Sequence, residues 1–352
     1  MTREARRLAS LACASTLAAC ASGATSAAPG VVRSAGPSPN DIAFEVPAWS
    51  GRWYKGNTHT HTTESDGDSS PEYVARWYKD HGYDFLVLSD HNVFTDPAHL
   101  EHLVDSTFLL IAGAEVTSGF GRASGQVDGL DLAHMVEARR ASSLVATIQA
   151  NVDAIREVEG VPHINHPNFQ WAFGADELLQ IQNDKLLEIW NGHPTVHNEG
   201  GGGVPSLVEV WDILLTGGKR IFGIAVDDAH HFQGEFSPDR ANPGRGWVAI
   251  RAEGLEPLAL MAALEAGHFY ASTGVELSDI VVTPRRLEIH IAQDRDFNYT
   301  TTFSGAEGRP LATTVENPAV YRLNHDVGYV RAEVINSRGD VAWVQPVFVE
   351  GR

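Results

Sequence analysis

Lys55-Gly56-Asn57-Thr58-His59-Thr60-His61-Thr62-Thr63-Glu64-Ser65-Asp66 is the stretch on which the reading of this chain turns. Residues two apart on an extended strand point to the same side. His59 and His61 therefore present both imidazoles to one point, and Asp66, in the loop beyond, can fold back on it with a hard oxygen. Imidazole with carboxylate is the donor mixture of zinc, manganese, iron or cobalt rather than of calcium or magnesium. Taken alone, His-Thr-His sits equally well on a surface strand without metal. What decides is whether more such groups recur at comparable places.

They do. Tyr83 to Leu88 is a short, nearly continuous apolar run, as in a strand of a buried parallel sheet, and it ends in Ser89-Asp90-His91-Asn92. Phe108 to Ala112 ends in Gly113-Ala114-Glu115. Val161-Pro162-His163-Ile164 runs into Asn165-His166-Pro167, Leu186 to Trp190 into Asn191-Gly192-His193, and Ile221 to Val226 into Asp227-Asp228-Ala229-His230. Helical stretches lie between them. Ser69-Ser70-Pro71-Glu72 has the hydroxyl, proline and acid of a helix start, with Glu72 three residues after Ser69, and Gly82 stops that helix. Ser143 to Glu159 has helical spacing, and Pro205 to Thr216 is a helix closed by Gly217-Gly218. Apolar strand, polar end and helix, repeated, predict a parallel α/β barrel, whose chemistry belongs at the C-terminal strand ends. Every His/Asp/Glu cluster falls at such an end. From about Val275 the texture changes to short strands with turns, which predicts a small antiparallel β module packed on the barrel. The four glycines Gly200 to Gly203 read as a lid or a solvent loop; no Gly-Lys-Ser/Thr follows, so they are not a phosphate loop.

Composition sets the outer limits. The 352 residues are 43% hydrophobic and 20% charged, ordinary for a globular protein. The formal charge of −19 with no long basic run disfavours a nucleic-acid groove. Bound cations would reverse the sign locally, so a small anionic substrate stays compatible. Arg3, Arg6 and Arg7 precede the short apolar core Leu8 to Ala19, as in an export signal. Leu17-Ala18-Ala19-Cys20 resembles the bacterial lipoprotein signal box, which implies cleavage before Cys20, a lipid on that cysteine and membrane anchoring in the periplasm or outer membrane. Cys13 would leave with the signal. The expected organisation is a signal peptide over 1–19, a flexible tether over 20–45, a barrel over 46–275 and a β domain over 276–352.

The motifs His59-Thr60-His61 with Ser65-Asp66-Gly67, Ser89-Asp90-His91-Asn92, Gly113-Ala114-Glu115, His166-Pro167 and Asp228-Ala229-His230 resemble, in this order, the PHP (polymerase and histidinol phosphatase) family of metal-dependent hydrolases. The resemblance implies a distorted (β/α)7 TIM-like barrel with two or three divalent ions (Zn, Mn or Fe) at the strand ends. It makes His59, His61, Asp66, His91, Glu115, His166, Asp228 and His230 expected ligands. One further histidine is expected between the Glu and His-Pro motifs, and His134 is the candidate. Asp90 and Asp227 adjoin ligands and read as acceptors that orient imidazoles; His163 reads as a strand histidine. His193, His197 and His231 can line the site, His193 being the best placed. His81, His99, His102, His268, His290 and His325 match no motif.

Nine candidate ligands exceed one tetrahedral ion, and a paired site supplies a bridging hydroxide as nucleophile. The chain has no Gly-x-Ser-x-Gly, and its only mature cysteine is the acylated one. The expected activity is hydrolysis of a small-molecule phosphate ester, with His193 as a candidate donor to the leaving group. A rival reading, resembling the carbaryl-hydrolase-like branch, is carbamate or aryl-ester hydrolysis on the same metals. Phe169, Trp171, Trp190 and Trp211 would suit it, as would the scarcity of basic residues near the motifs, where only Lys55, Lys219 and Arg245 are candidates. A third, from another class, is a metal-binding surface lipoprotein without turnover.

Overall fold

The computed structural model describes residues 50–323 and 328–349. The signal, tether and Cys20, together with His325, lie outside the described residues. The chain runs β1 (Arg52–Asn57), α1 (Pro71–Asp80), β2 (Phe85–Val87), β3 (Leu109–Ile111), β4 (Gly113–Val116), β5 (Val127–Leu130), α2 (Leu144–Glu157) and β6 (Val161–Ile164). It continues through β7 (Leu186–Asn191), α3 (Leu207–Thr216), β8 (Phe222–Val226), β9 (Trp247–Ala252), α4 (Pro257–Glu265) and β10 (Phe269–Ser272). Seven further strands follow: β11 (Leu277–Thr283), β12 (Arg286–Ile291), β13 (Tyr299–Ser304), β14 (Pro310–Thr314), β15 (Ala319–Arg322), β16 (Tyr329–Asn336) and β17 (Val341–Phe348). No helix among the described residues is long and apolar enough to cross a membrane.

The helix starts are set by short polar side chains. Ser70, not Ser69, caps α1, accepting from Tyr73 N–H, with Pro71 in the first turn; the Ser69 hydroxyl donates to Asp68 instead. Ser143 caps α2. Ser206 and Glu209 form a reciprocal capping box on α3, satisfying two backbone donors at once.

The fold is mixed α/β, but the expected closed barrel is not formed. A nine-stranded sheet in the order β14-β13-β16-β17-β10-β9-β1-β2-β3 faces a five-stranded sheet, β8-β7-β6-β5-β4. Two features prevent one continuous parallel cylinder. β5 runs antiparallel to both β4 and β6, and β9 runs antiparallel to β1. Between the sheets the backbone contact narrows to single bridges, Thr60 with Ala229 just past the ends of β1 and β8, and His91, past the end of β2, with Glu115 in β4. These seams are tight: His61 N–H donates to Ala229 O at 2.9 Å, Asp228 N–H to His59 O at 3.0 Å, and Asn92 N–H to Glu115 O at 2.9 Å.

The inner faces of both sheets share one apolar core, with Tyr54, Phe85 and Ile250 from the larger and Leu130, Leu186 and Ile224 from the smaller. Burying each such side chain contributes about 1.5–3 kcal/mol, which holds the sheets face to face where hydrogen bonds between them are few. A second core lies between the five-stranded sheet and its helices, around Val152, Ile155, Leu187 and the fully buried Trp211. The C-terminal strands extend the larger sheet directly, β17 pairing with β10. They are also tied to α3, where Asp212 accepts from Arg331 Nε and Nη2 at 2.7 and 2.6 Å and from the Tyr329 hydroxyl at 2.9 Å.

Candidate metal centre

The two seams bring five ordered motifs to one place. His59 Nε2 and His61 Nε2 stand 3.1 Å apart at the end of β1, which is the same-side geometry of alternate strand residues. Glu115 Oε2 lies 3.8 and 3.7 Å from those nitrogens, and Asp228 Oδ1 3.4 and 3.2 Å. Donors around one tetrahedral ion at ~2.0–2.2 Å stand roughly 3.4 Å from one another, so this quartet has the spacing of a ligand set. Beside it, Asp66 approaches His91 Nε2 at 3.5 Å and His230 Nε2 at 3.3 Å. The rings of His91 and His230 lie 4.5 and 4.2 Å from that of His61. His61, Asp66, His91 and His230 form one group able to hold an ion, and His59, His61 and Glu115 another.

The chemistry of one atom tests the fit. Glu115 is fully buried, yet Oε2 has no hydrogen-bond partner, even though His91 Nδ1 is 2.5 Å away; that nitrogen pairs with the Thr117 hydroxyl at 2.6 Å. A buried carboxylate oxygen without a donor is costly unless a cation meets it. The imidazole nitrogens gathered around it become ligands to such a cation once their protons leave. The donor set fits a divalent transition metal. Burial alone would raise the carboxyls of Glu115, Asp228 and Asp66, but the surrounding histidines outweigh it and hold all three below the usual range.

The remaining expected residues fall in different places. His166 lies at the inner edge, its Nε2 3.7 Å from Glu115 Oε1 and 3.9 Å from Asp228 Oδ2. His193 is half-buried, its ring 5.2 Å from that of His230. The structure does not bring His134 to the cluster. Its side chain is exposed, with Nδ1 3.0 Å from Met135 O, and it belongs to none of the metal-capable groups among the described residues.

Asp90 and Asp227 do not orient imidazoles. Each follows the strand's alternation and points away from the neighbouring ligand. Asp90 accepts from Thr62 N–H, the Thr62 hydroxyl and the Ser65 hydroxyl, so it braces the loop that carries Asp66. Asp227 accepts from the Tyr78 hydroxyl and from the N–H groups of Gly244, Arg245 and Gly246.

The orienting carboxylate is one that sequence reasoning missed. Glu188, fully buried in the middle of β7, takes His59 Nδ1 at 2.6 Å and His163 Nε2 at 3.1 Å on Oε1. Its Oε2 takes His166 N–H and Asn191 Nδ2, each at 2.8 Å. A carboxylate on Nδ1 fixes the imidazole tautomer and leaves Nε2 with its lone pair toward the cluster. Burial favours the neutral acid, but His59 and His163 reverse that, and Glu188 is held well below the usual carboxylate range. Asp128 on β5 is similarly buried beside His59 and His163, at 3.8 and 3.7 Å. The signal for both was a lone acid inside an apolar run, Leu-Leu-Glu188-Ile-Trp and Val-Asp128-Gly-Leu.

No family model and no curated protein matches this chain. Among solved structures it resembles a two-domain protein from Bacteroides vulgatus ATCC 8482 described as containing a predicted PHP-like metal-dependent phosphoesterase. The TM-score is 0.51 and the identity 16%, over 90% of this chain and 92% of that one. This likeness establishes a shared fold. A Bifidobacterium adolescentis ATCC 15703 structure overlaps 56% of this chain (and 91% of its own length) at TM-score 0.39 and 13% identity. An amidohydrolase from Chromobacterium violaceum overlaps 53% (and 93% of its own length) at 0.37 and 14%. At such scores neither of these two establishes a common fold.

Proposed function

We propose that this chain is a metal-dependent hydrolase of the PHP kind that cleaves a phosphate ester. In this reading the two facing sheets are a strongly distorted (β/α)7 barrel opened at its seams. His59, His61, Glu115 and Asp228 hold one divalent ion, and Asp66, His91 and His230 hold a second. The observation behind it is Glu115 Oε2, buried without a hydrogen-bond partner among imidazoles, with His59 held toward it through Nδ1 by Glu188. The description of the Bacteroides neighbour as a metal-dependent phosphoesterase agrees with it.

When bound, paired ions acidify a coordinated water and neutralise charge on the attacked group. The chain's own residues do the rest. Glu188 keeps His59 in the tautomer that faces the cluster, and Asp90 holds the Asp66 loop against it. His193 Nδ1 accepts from Thr195 N–H at 3.3 Å and pairs with its hydroxyl at 2.9 Å. The ring proton of the neutral imidazole therefore sits on Nε2. Burial lowers this histidine to about 4, so near neutral pH it is an uncharged N–H donor, suited to a leaving-group oxygen.

One observation favours the aryl-ester or carbamate rival. The three cations nearest the motifs in sequence are engaged elsewhere. Arg245 binds the carbonyls of Gly192 and Ser237, Lys219 those of Leu178 and Ile181 with Asp184, and Lys55 lies over Tyr83 and Trp247. Meanwhile Phe169 packs edge-on against His166, and exposed Trp171 stacks on His197 at 4.2 Å. A panel of phosphomonoesters, phosphodiesters and aryl carbamates, assayed with metal-loaded protein, separates the readings. Phosphate-ester turnover, lost in Asp228→Asn and retained in His268→Ala, is expected. Carbamate turnover alone would establish the rival, and full metal content with no turnover at all would establish a binding protein.

A further inference from the structure

The PHP resemblance leaves room for two or three ions, and the geometry of the inner edge separates the two cases. A third ion would sit by His166, facing the oxygens of Glu115 and Asp228 that the first centre does not use. We infer that no third ion binds beside His166, and that Asn165 and Asn191 close that position. The inference rests on the metallohydrolase reading above and narrows it.

The two oxygens of Glu115 differ. Oε2 is without a donor, but Oε1 accepts from Asn165 Nδ2 at 2.8 Å. Asp228 Oδ2, the other oxygen near His166, accepts from Asn191 Nδ2 at 3.1 Å. An amide's two ends have nearly the same shape, but here the backbone fixes which end is which. Asn165 Oδ1 accepts from Asp128 N–H at 3.1 Å, while its Nδ2 also reaches Asp128 Oδ1 at 2.9 Å. Asn191 Oδ1 accepts from His193 N–H at 2.7 Å, while its Nδ2 also reaches Glu188 Oε2 at 2.8 Å. Reversing either amide would set an oxygen against two carboxylates and an NH2 against an N–H. Each asparagine therefore points protons, not lone pairs, toward the place a cation would need.

The donor count gives the same answer. Around His166 the oxygens stand at 3.7 and 3.9 Å, much as Glu115 Oε2 stands at 3.8 and 3.7 Å from His59 and His61, so the donors already engaged, not the spacing, set the two places apart. His59, His166 and Glu188 are close enough to form a metal-capable group. Yet the Glu188 oxygens already take four donors, and His59 Nδ1 is one of them. His134, the further histidine that the resemblance asks for between the Glu115 and His166 motifs, lies apart on the surface and offers no donor here. His166 is left as a metal-free ring, stacked on His59 at a centroid distance of 5.7 Å.

Stoichiometry tests this without reference to activity. Wild type, His166→Ala, His166→Gln and His91→Ala are loaded with manganese or zinc chloride, dialysed against ion-free buffer and measured by elemental mass spectrometry. Circular dichroism checks that each variant is folded. The expected contents are two ions in the wild type and in a folded His166 variant, and one in His91→Ala. Three ions in the wild type, or loss of one ion in either folded His166 variant, overturns the inference. One ion or none in the wild type would instead bring down the metallohydrolase reading beneath it.

Discussion

Glu188 makes four hydrogen bonds and has no exposed surface, and through the one from His59 it acts directly on a proposed ligand. Glu188→Gln keeps the shape but replaces one acceptor oxygen by an NH2 group facing donors. Losing a carboxylate that orients a ligating imidazole typically costs 10–100-fold in metal affinity. That loss is expected here, read by competition with a coloured chelator, with the far-ultraviolet spectrum unchanged. Unaltered affinity would mean that His59 is oriented by other means or is not a ligand. At this scale the sequence was informative where chemistry lies within a few residues of itself: His-x-His, Asp-His-Asn and Asp-Ala-His could be read directly. Glu188 was not, because its partner is 129 residues away. The mistaken roles of Asp90 and Asp227 had a different source. Adjacency along a strand was read as proximity, whereas successive side chains point to opposite faces.

Strands and helices were legible through their ends. Serine caps, Pro71 and the glycine stops delimit α1, α2 and α3 close to where the periodicity puts them, the cap of α1 moving by one residue. β5 and β9 were not read as strands at all, and their antiparallel direction was not legible either, since an apolar run reads alike whichever way its neighbour travels. Gly56 illustrates what the register demands. It lies where β1 meets β2, opposite Phe85, and a Cβ there would overlap the fully buried Phe85 ring. Forcing extra volume into a packed core costs about 1–3 kcal/mol. Gly56→Ala is expected to lower the urea midpoint accordingly; an unchanged midpoint would mean that the two strands are more loosely joined than described.

For the whole molecule the proposal joins a hydrolase body to an export address read only from the first twenty residues. If the proposed lipid on Cys20 is the anchor, Cys20→Ser should move the protein from the membrane fraction to the soluble one, or block its processing. Unchanged fractionation and mature mass would remove that part of the proposal. A second property follows from the seams between the sheets. The backbone groups that join β1 to β8 belong to His59, His61, Asp228 and Ala229, three of them proposed ligands and the fourth lying between two. The sheets cannot part there without scattering the ligands, and the ligands cannot scatter while the sheets stay joined. Occupancy and thermal resistance then become one thermodynamic quantity, since a ligand bound only by the native state adds RT ln(1 + [L]/Kd) to its stability, about 2.7 kcal/mol at a hundred times Kd. The melting temperature should therefore climb with the logarithm of free zinc or manganese and fall on chelation. In a compartment where metal supply varies, the lifetime of this protein would report how much of it there is.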